Sequence, residues 1–315
     1  MIGQRIKETR HRNNLTQEEL ADGIISRTYL SLIEKGSVQP STNVLIKLSE
    51  RLNCSLNDLM SETSNFRYND VEVFREIVFH EYKVEHEDFT TIPDLMNKEY
   101  EKADEISNAD CGRLHLLYAK YYRHKGDAGR MIRQADQSLA KLSNNVINQF
   151  YIDALLIKTS YLMQAGEVTE ALDLLEDTYA LIYPMKELNL GKLKILFEII
   201  ECYYRKEQYY TCRRLIDKYE QLERMMQVHH KEKELVILSA KVAASDNDFE
   251  LLDQLVDQSD DGQMSLLKCY NMYKKGQIRE SVEYFKSYPK NMDELKDDPL
   301  MLDIYGELKD RIGTL

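Results

Sequence analysis

The sequence predicts an all-α protein, with a small five-helix domain at the N-terminus and a solenoid of helix pairs behind it. Three observations predict it. Helix breakers are scarce, with 12 Gly and 5 Pro in 315 residues, so long helices are favoured over strands and turns. Residues 16–36 have the pattern of two short helices joined by a tight turn. Beyond residue 70 a turn element keeps returning at a near-constant spacing, with a helical pattern on either side.

A chain of this length holds two domains with separate cores. Hydrophobic residues at 43% and charged residues at 30% are those of a globular protein. The first ten residues lack the apolar run of a secretory signal. No window comes near 18 uncharged apolar residues, so a cytoplasmic protein without a membrane span is expected. Cys54, Cys111, Cys202, Cys212 and Cys269 are scattered and form no C-x-x-C, which fits reduced thiols. The net charge of −12 is unevenly placed: residues 1–63 carry eight basic and eight acidic residues, and the remaining 34 basic and 46 acidic residues carry the whole excess. A neutral head suits contact with a polyanion better than the acidic remainder, which faces away from one.

In the head, Ile2 to Arg12 reads as a first helix, with Arg5, Arg10 and Arg12 as candidate phosphate partners. Thr16 is placed to cap the second helix, and Glu19 three residues on completes a capping box. Gln17 then sits at a helix N-terminus, where free N–H groups favour a phosphate. Ser26 caps the third helix, which puts Arg27 and Thr28 at its exposed tip and Ser31 one turn along. Leu30 and Ile33 face inward with Leu20, Ala21 and Ile24, and Gly36 ends the helix. Pro40-Ser41-Thr42 restarts the chain; Leu45, Leu48 and Leu52 recur at helical spacing, and Leu56 and Leu59 fall in a fifth short helix. Small polar and basic residues at the start of the third helix are what a helix entering the major groove needs, and Arg27 is the best candidate for a bidentate guanine contact.

The run T-Q-E-E-L-A…S-R-T-Y-L-S-L-I-E-K-G…P-S…L-I-K-L-S-E-R-L resembles the Cro/repressor-type (XRE) helix-turn-helix family across residues 3–60. The turn Asp22-Gly23-Ile24-Ile25 is one residue shorter than that family's usual form and is similar to the version in Gram-positive peptide-sensing regulators. The resemblance implies that Arg27, Thr28 and Ser31 face base edges while Gln17 and Lys35 face phosphates.

The expected boundaries are 1–63 for the head, 64–70 for a polar linker, 71–298 for the array and 299–315 for a capping helix. Within the array, Lys125-Gly126-Asp127 returns as Ala165-Gly166-Glu167, Lys206-Glu207-Gln208, Asp246-Asn247-Asp248 and Lys275-Gly276-Gln277. The middle residues are spaced by 40, 41, 40 and 29, and residues 71–108 form a more divergent hairpin ahead of them. The segments G-E-V-T-E-A-L-D-L-L and G-Q-I-R-E-S-V-E-Y-F resemble the tetratricopeptide repeat around its inter-helix turn. Two of the five turns lack Gly, and Met131 and Leu252 stand where that repeat carries a small residue. The resemblance implies a right-handed TPR-like helical solenoid whose first helices line a concave groove. Counting back from each turn places Arg113, Lys120 and Arg123 in it, then Ser160 and Gln164, then Glu201, Tyr204 and Arg205, then Lys241, and last Tyr270 and Tyr273. Polar side chains of this kind bond an extended backbone while aromatic faces take its side chains, so the expected ligand is a short peptide.

Catalytic and metal chemistry find little support. His80 and His86 are six apart, His115 and His124 nine apart, and His229 and His230 adjacent, so no pair has the i, i+4 geometry of a helical zinc site. There is no G-x-x-x-x-G-K-[ST], G-x-G-x-x-G or G-x-S-x-G. The expectation is a non-enzyme without metal or cofactor.

A repressor-type head before a tetratricopeptide-like array resembles the RRNPP family over essentially the whole chain. That resemblance implies a quorum-sensing transcription regulator of a Gram-positive bacterium or its mobile elements. Its array binds a short signalling peptide and forms the homodimer, and its two heads bind double-stranded operator DNA. Two alternatives stay open: a Rap-like adaptor whose array binds a regulatory protein, and a repressor whose array only dimerises.

Overall fold

The computed structural model describes residues 2–13, 15–36, 38, 40–52, 54, 59, 68–102, 106–143, 147–259, 261–287, 295 and 298–312. All regular structure among them is helical. The chain divides into two compact units, Met1–Arg75 and Glu76–Leu315.

The first unit holds α1 (Ile2–Arg12), α2 (Gln17–Ala21), α3 (Arg27–Glu34) and α4 (Thr42–Arg51). Ile6, Leu20, Leu30, Ile33, Leu45, Leu48, Leu52 and Leu59 form its core. Leu56, expected beside Leu59 in a fifth helix, lies outside the described residues. A Cβ at Gly3 would overlap the Ile33 carbonyl oxygen, so glycine is what lets α1 lie directly on α3.

Helix α5 (Tyr68–Glu85) begins inside the stretch expected as linker. The second unit continues with α6 (Ile92–Asn97), then α7 (Asn108–His124), α8 (Ala128–Leu142), α9 (Gln149–Gln164), α10 (Val168–Ile182), α11 (Asn189–Arg205), α12 (Tyr209–Met226), α13 (Glu232–Ser245), α14 (Phe249–Leu255), α15 (Gly262–Lys274), α16 (Ile278–Ser287) and α17 (Pro299–Ile312).

From α7 to α16 the helices form five consecutive pairs. Each pair reverses at the predicted middle residue, and each of these residues has positive φ: Gly126 (71°), Gly166 (84°), Glu207 (56°), Asn247 (56°) and Gly276 (80°). In every case the residue's N–H and that of the residue after it donate back to carbonyls of the preceding helix, as Gly166 and Glu167 do to Met163 and Leu162. The two turns without glycine therefore keep the geometry of the other three. Met131 and Leu252, where small residues were expected, are both buried.

First helices stack along the array, α7 on α9, α9 on α11 and α13 on α15. The step from α11 to α13 departs from this, because their backbones stand further apart. Side chains still join the step: Leu235, Leu238 and Val242 of α13 belong to the cluster that begins at Ile152, while Ala240, Ala243 and Ala244 of the same helix belong to a second cluster that runs to Leu308. Leu300, at the start of α17, packs against both clusters.

Two measurements check this description. Left-handed φ costs an L-residue roughly 1–2 kcal/mol, part of which glycine's greater unfolded-state freedom offsets. Glu207→Gly should therefore raise stability by roughly 0.5–1 kcal/mol, and Gly166→Ala should lower it by about 1 kcal/mol, both read by thermal unfolding. Burial depresses the pKa of His115, whose Nδ1 lies 2.8 Å from Gln134 Oε1, and that of His80, 2.9 Å from Thr91 Oγ1. As pH falls through the unfolded histidine value, the unfolded chain takes up protons that the folded chain resists, so stability is lost on acidification. The Tm of the second unit should drop as pH is lowered from about 7 to about 5, and His115→Gln should flatten that slope.

Candidate DNA-reading helix and ligand groove

Helix α3 starts at Ser26, whose Oγ accepts from the Tyr29 N–H at 3.1 Å. Its inner face is fixed by Leu30 and Ile33 in the core and by one buried polar assembly. Arg10, only 6% exposed, donates through Nε to Glu34 Oε1 at 2.7 Å, through Nη2 to Glu34 Oε2 at 3.1 Å and through Nη1 to the Leu15 carbonyl at 2.8 Å. Gln17 Nε2 donates to Glu34 Oε2 at 2.7 Å. Burial by itself would raise the Glu34 carboxyl, but the hydrogen bonds from Arg10 and Gln17 and the Arg10 charge outweigh it and hold the group below the ordinary carboxylate range. One carboxylate thus ties α1, the N-terminus of α2 and the last turn of α3 together.

The opposite face of α3 is open. Arg27, Thr28 and Lys35 are exposed, Ser31 is half-buried, and Leu32 is 39% exposed beside them. The turn leading in needs Gly23 at φ 68°, which suits glycine. Thr16 Oγ1 accepts from the Glu19 N–H at 3.2 Å while Glu19 accepts from the Thr16 N–H at 2.6 Å, which forms the expected capping box.

One residue expected at a phosphate is placed otherwise, and a second is partly engaged. Arg10 is not a phosphate partner: its guanidinium is buried and bound to Glu34 and Leu15. Counting along a surface helix cannot show this, because the acceptor is 24 residues away. Gln17 gives one amide hydrogen to Glu34 and is half-buried.

In the second unit two recesses of about 370 and about 480 Å³ adjoin, sharing Met163, Glu201 and Arg205. Seven of the eleven predicted groove residues line them: Arg123, Ser160 and Gln164 in the larger, Tyr204 and Lys241 in the smaller, Glu201 and Arg205 in both. Arg205 Nη1 donates to the Met163 carbonyl at 3.4 Å. Burial raises the Glu201 carboxyl, which Lys241 and Arg205 partly counter.

The other four lie elsewhere. Arg113 is buried and bidentate to Glu81 at 2.8 and 2.6 Å, with Asp110 at 3.4 Å and its guanidinium over the Phe150 ring. Lys120 is 3.8 Å from Asp153. Tyr270 packs edge-on to Phe249, and Lys274 lies over both Tyr270 and Tyr273. Counting back from the turns also missed Lys194, Phe197 and Glu198 on α11, and His230 and Lys231 in the loop after α12. The α11 residues were within reach of sequence, since 194, 198, 201 and 205 follow one helical stripe. Lys231 pairs with Glu198 at 2.9 Å and stands over the Phe197 ring at 4.2 Å. Lys194 pairs with Asp153 at 2.9 Å. The groove therefore offers cations, carboxylates and an aromatic face in alternation, which can satisfy an extended peptide's backbone and side chains.

The fold also gathers Glu223, His229 and Glu232, whose ligand atoms lie within 4.8 Å of one another. Helical spacing could not predict the cluster, because a loop makes it. Its members already contact one another, with His229 Nδ1 2.5 Å from Glu232 Oε1 and 3.6 Å from Glu223 Oε1. Among the described residues no helix is long and apolar enough to cross a membrane.

Residues 6–59 match the family model described as "Helix-turn-helix", and the chain carries an N-terminal domain of that family. The "ImmF control region 10 kDa protein" of Bacillus phage phi105 is 42% identical over 59 residues, which are 18% of this chain and 66% of that protein. Solved structures similar to the chain include PlcR of Bacillus thuringiensis in complex with the peptide PapR7 and DNA, at 14% identity, 92% and 99% coverage and a TM-score of 0.48. Another is the apo competence regulator ComR of Streptococcus vestibularis, at 16% identity, 98% and 97% coverage and a TM-score of 0.40. A third is the SHP pheromone receptor Rgg2 of Streptococcus dysgalactiae, at 13% identity, 99% and 100% coverage and a TM-score of 0.36. Likenesses this distant carry no activity across to the chain.

Removing one member of a buried ion pair leaves the other charge unpaired, at a cost of about 3–5 kcal/mol. Arg10→Met should therefore unfold the head at markedly lower denaturant, whereas Arg27→Ala should leave its stability within about 0.5 kcal/mol. Circular dichroism during denaturant titration distinguishes the two.

Proposed function

We propose that this chain is a cytoplasmic transcription regulator that binds operator DNA as a homodimer and is controlled by a short signalling peptide held in the groove of its array. One observation carries the proposal. The helix that enters DNA in a helix-turn-helix is here α3, and its open face presents Arg27, Thr28 and Ser31, while Glu34 anchors its other face from within. The peptide half rests on the two adjoining recesses and their alternating charges. The dimer follows from charge: a head with eight basic and eight acidic residues gains little from phosphates, so a second head adds the affinity that one lacks.

In this reading Arg27 makes the bidentate base contact, and Thr28 and Ser31 read neighbouring edges. Lys35, exposed at the end of α3, and Gln17, through its remaining amide hydrogen and the α2 N-terminus, meet phosphates. Footprinting of the full-length protein on genomic fragments tests the DNA half. A protected pseudo-palindrome is the expected result, and no protected fragment would overturn it. Recovery of a stoichiometric protein partner without any DNA binding would favour the adaptor reading. On a protected operator, Arg27→Ala should cost about 1–3 kcal/mol of discrimination at one base pair per half-site and leave the other positions unchanged, measured by competition with single-base operator variants.

A further inference from the structure

Asp298 stands immediately before Pro299, the first residue of α17, and its Oδ1 accepts from the Met301 N–H at 3.2 Å, so it caps that helix. The same carboxylate reaches into the smaller recess. Its Oδ2 lies 2.8 Å from Lys241 Nζ and its Oδ1 accepts from the Tyr204 hydroxyl at 2.8 Å. The Lys241 and Asp298 side chains are 13% and 12% exposed, and Tyr204 is buried. Tyr204 belongs to α11 and Lys241 to α13, the two first helices whose backbones stand apart. Gln263 lines the same recess, and its Oε1 is buried with no hydrogen-bond partner among the described residues. A cation and a hydroxyl that converge on one carboxylate, beside an unsatisfied amide oxygen, is what a binding site for a peptide's carboxylate and neighbouring N–H requires.

We infer that Lys241 and Tyr204 form a carboxylate subsite that the chain's own Asp298 occupies, so that a ligand carboxylate and the anchor of α17 compete for one place. The inference rests on the peptide reading above and specifies the ligand as one with an acidic side chain or a free C-terminus at this end of the groove. A ligand that takes the subsite releases the cap of α17 and the contact that bridges α11 to α13. By linkage, whatever loosens Asp298 strengthens such a ligand by the same factor.

Two arms test it on the full-length protein. In the first, without peptide, Asp298→Asn keeps a side chain able to cap but removes the charge. Amide exchange across residues 299–312 should quicken at least tenfold, while Lys274→Met, which breaks the pair to Glu307 further along α17, should leave the first turn of α17 unchanged. Unchanged exchange in Asp298→Asn would overturn the latch. In the second, a randomised synthetic heptapeptide pool is captured in two forms, with a free C-terminal carboxylate and with a C-terminal amide, and the bound peptides are identified by mass spectrometry. Wild type should enrich carboxylate-bearing peptides, Asp298→Asn should enrich them several-fold more, and Lys241→Met should lose that enrichment while still retaining neutral peptides. Peptides captured without carboxylate preference would overturn the subsite and leave the peptide reading standing. No peptide captured by any variant would overturn the peptide reading and the ligand half of the subsite together.

Discussion

The array depends on a backbone constraint repeated five times. At residues 126, 166, 207, 247 and 276 the chain turns into the left-handed region, closes the last carbonyls of one helix and sends the next helix back antiparallel. Because this reversal recurs, every 40 or 41 residues until a last step of 29, first helices stack on one another from α7 to α11 and from α13 to α15, and side chains just ahead of successive turns come together. Ser160 and Gln164 reach Glu201 and Arg205 for that reason alone, across some forty residues of sequence. Between α11 and α13, joined by Leu235, Leu238 and Val242, Leu300 and the Asp298–Lys241 pair add a connection from the far end of the chain.

The head follows a different rule. Its helices are short, and α2 has only five residues, so propensity cannot hold them. A small apolar core and one buried charge assembly do so. Arg10, Glu34 and Gln17 come from three helices, and the two donors leave the carboxylate paired and its burial tolerable. The consequence is directional: with its last turn tied inward by Glu34, α3 presents the residues around Arg27 in a fixed orientation, which base reading requires and a frayed helix could not provide.

The helices, their caps and the repeat turns were legible in the sequence because they are local. Thr16 with Glu19, Ser26 with Tyr29, and the five turn triplets each lie within a few residues of their partners. Glu207 and Asn247 show the limit of reading composition for conformation, since neighbouring helices hold them in a geometry that glycine adopts more easily. The lining of the candidate groove was legible where it repeats with the helix period, as at Ser160, Gln164, Glu201 and Arg205. It failed where a long-range partner claims the side chain. Arg10 and Arg113 each carry the charge that a surface contact would use, yet both are buried against glutamates 24 and 32 residues away. Lys231 and His230 enter from a loop with no periodicity, and Asp298 from outside the repeats altogether.

The proposed function has a head that binds DNA and a groove that holds a peptide, which requires that the two be coupled, and coupling is reciprocal. The most direct measurement is the affinity of the full-length protein for its footprinted operator, by fluorescence anisotropy, with and without a saturating captured peptide, paired with peptide affinity with and without operator. The two ratios should agree and differ from one by about 5–150-fold, the usual range of an allosteric coupling. Tight binding of both ligands with a ratio of one in each direction would contradict a regulator of this kind.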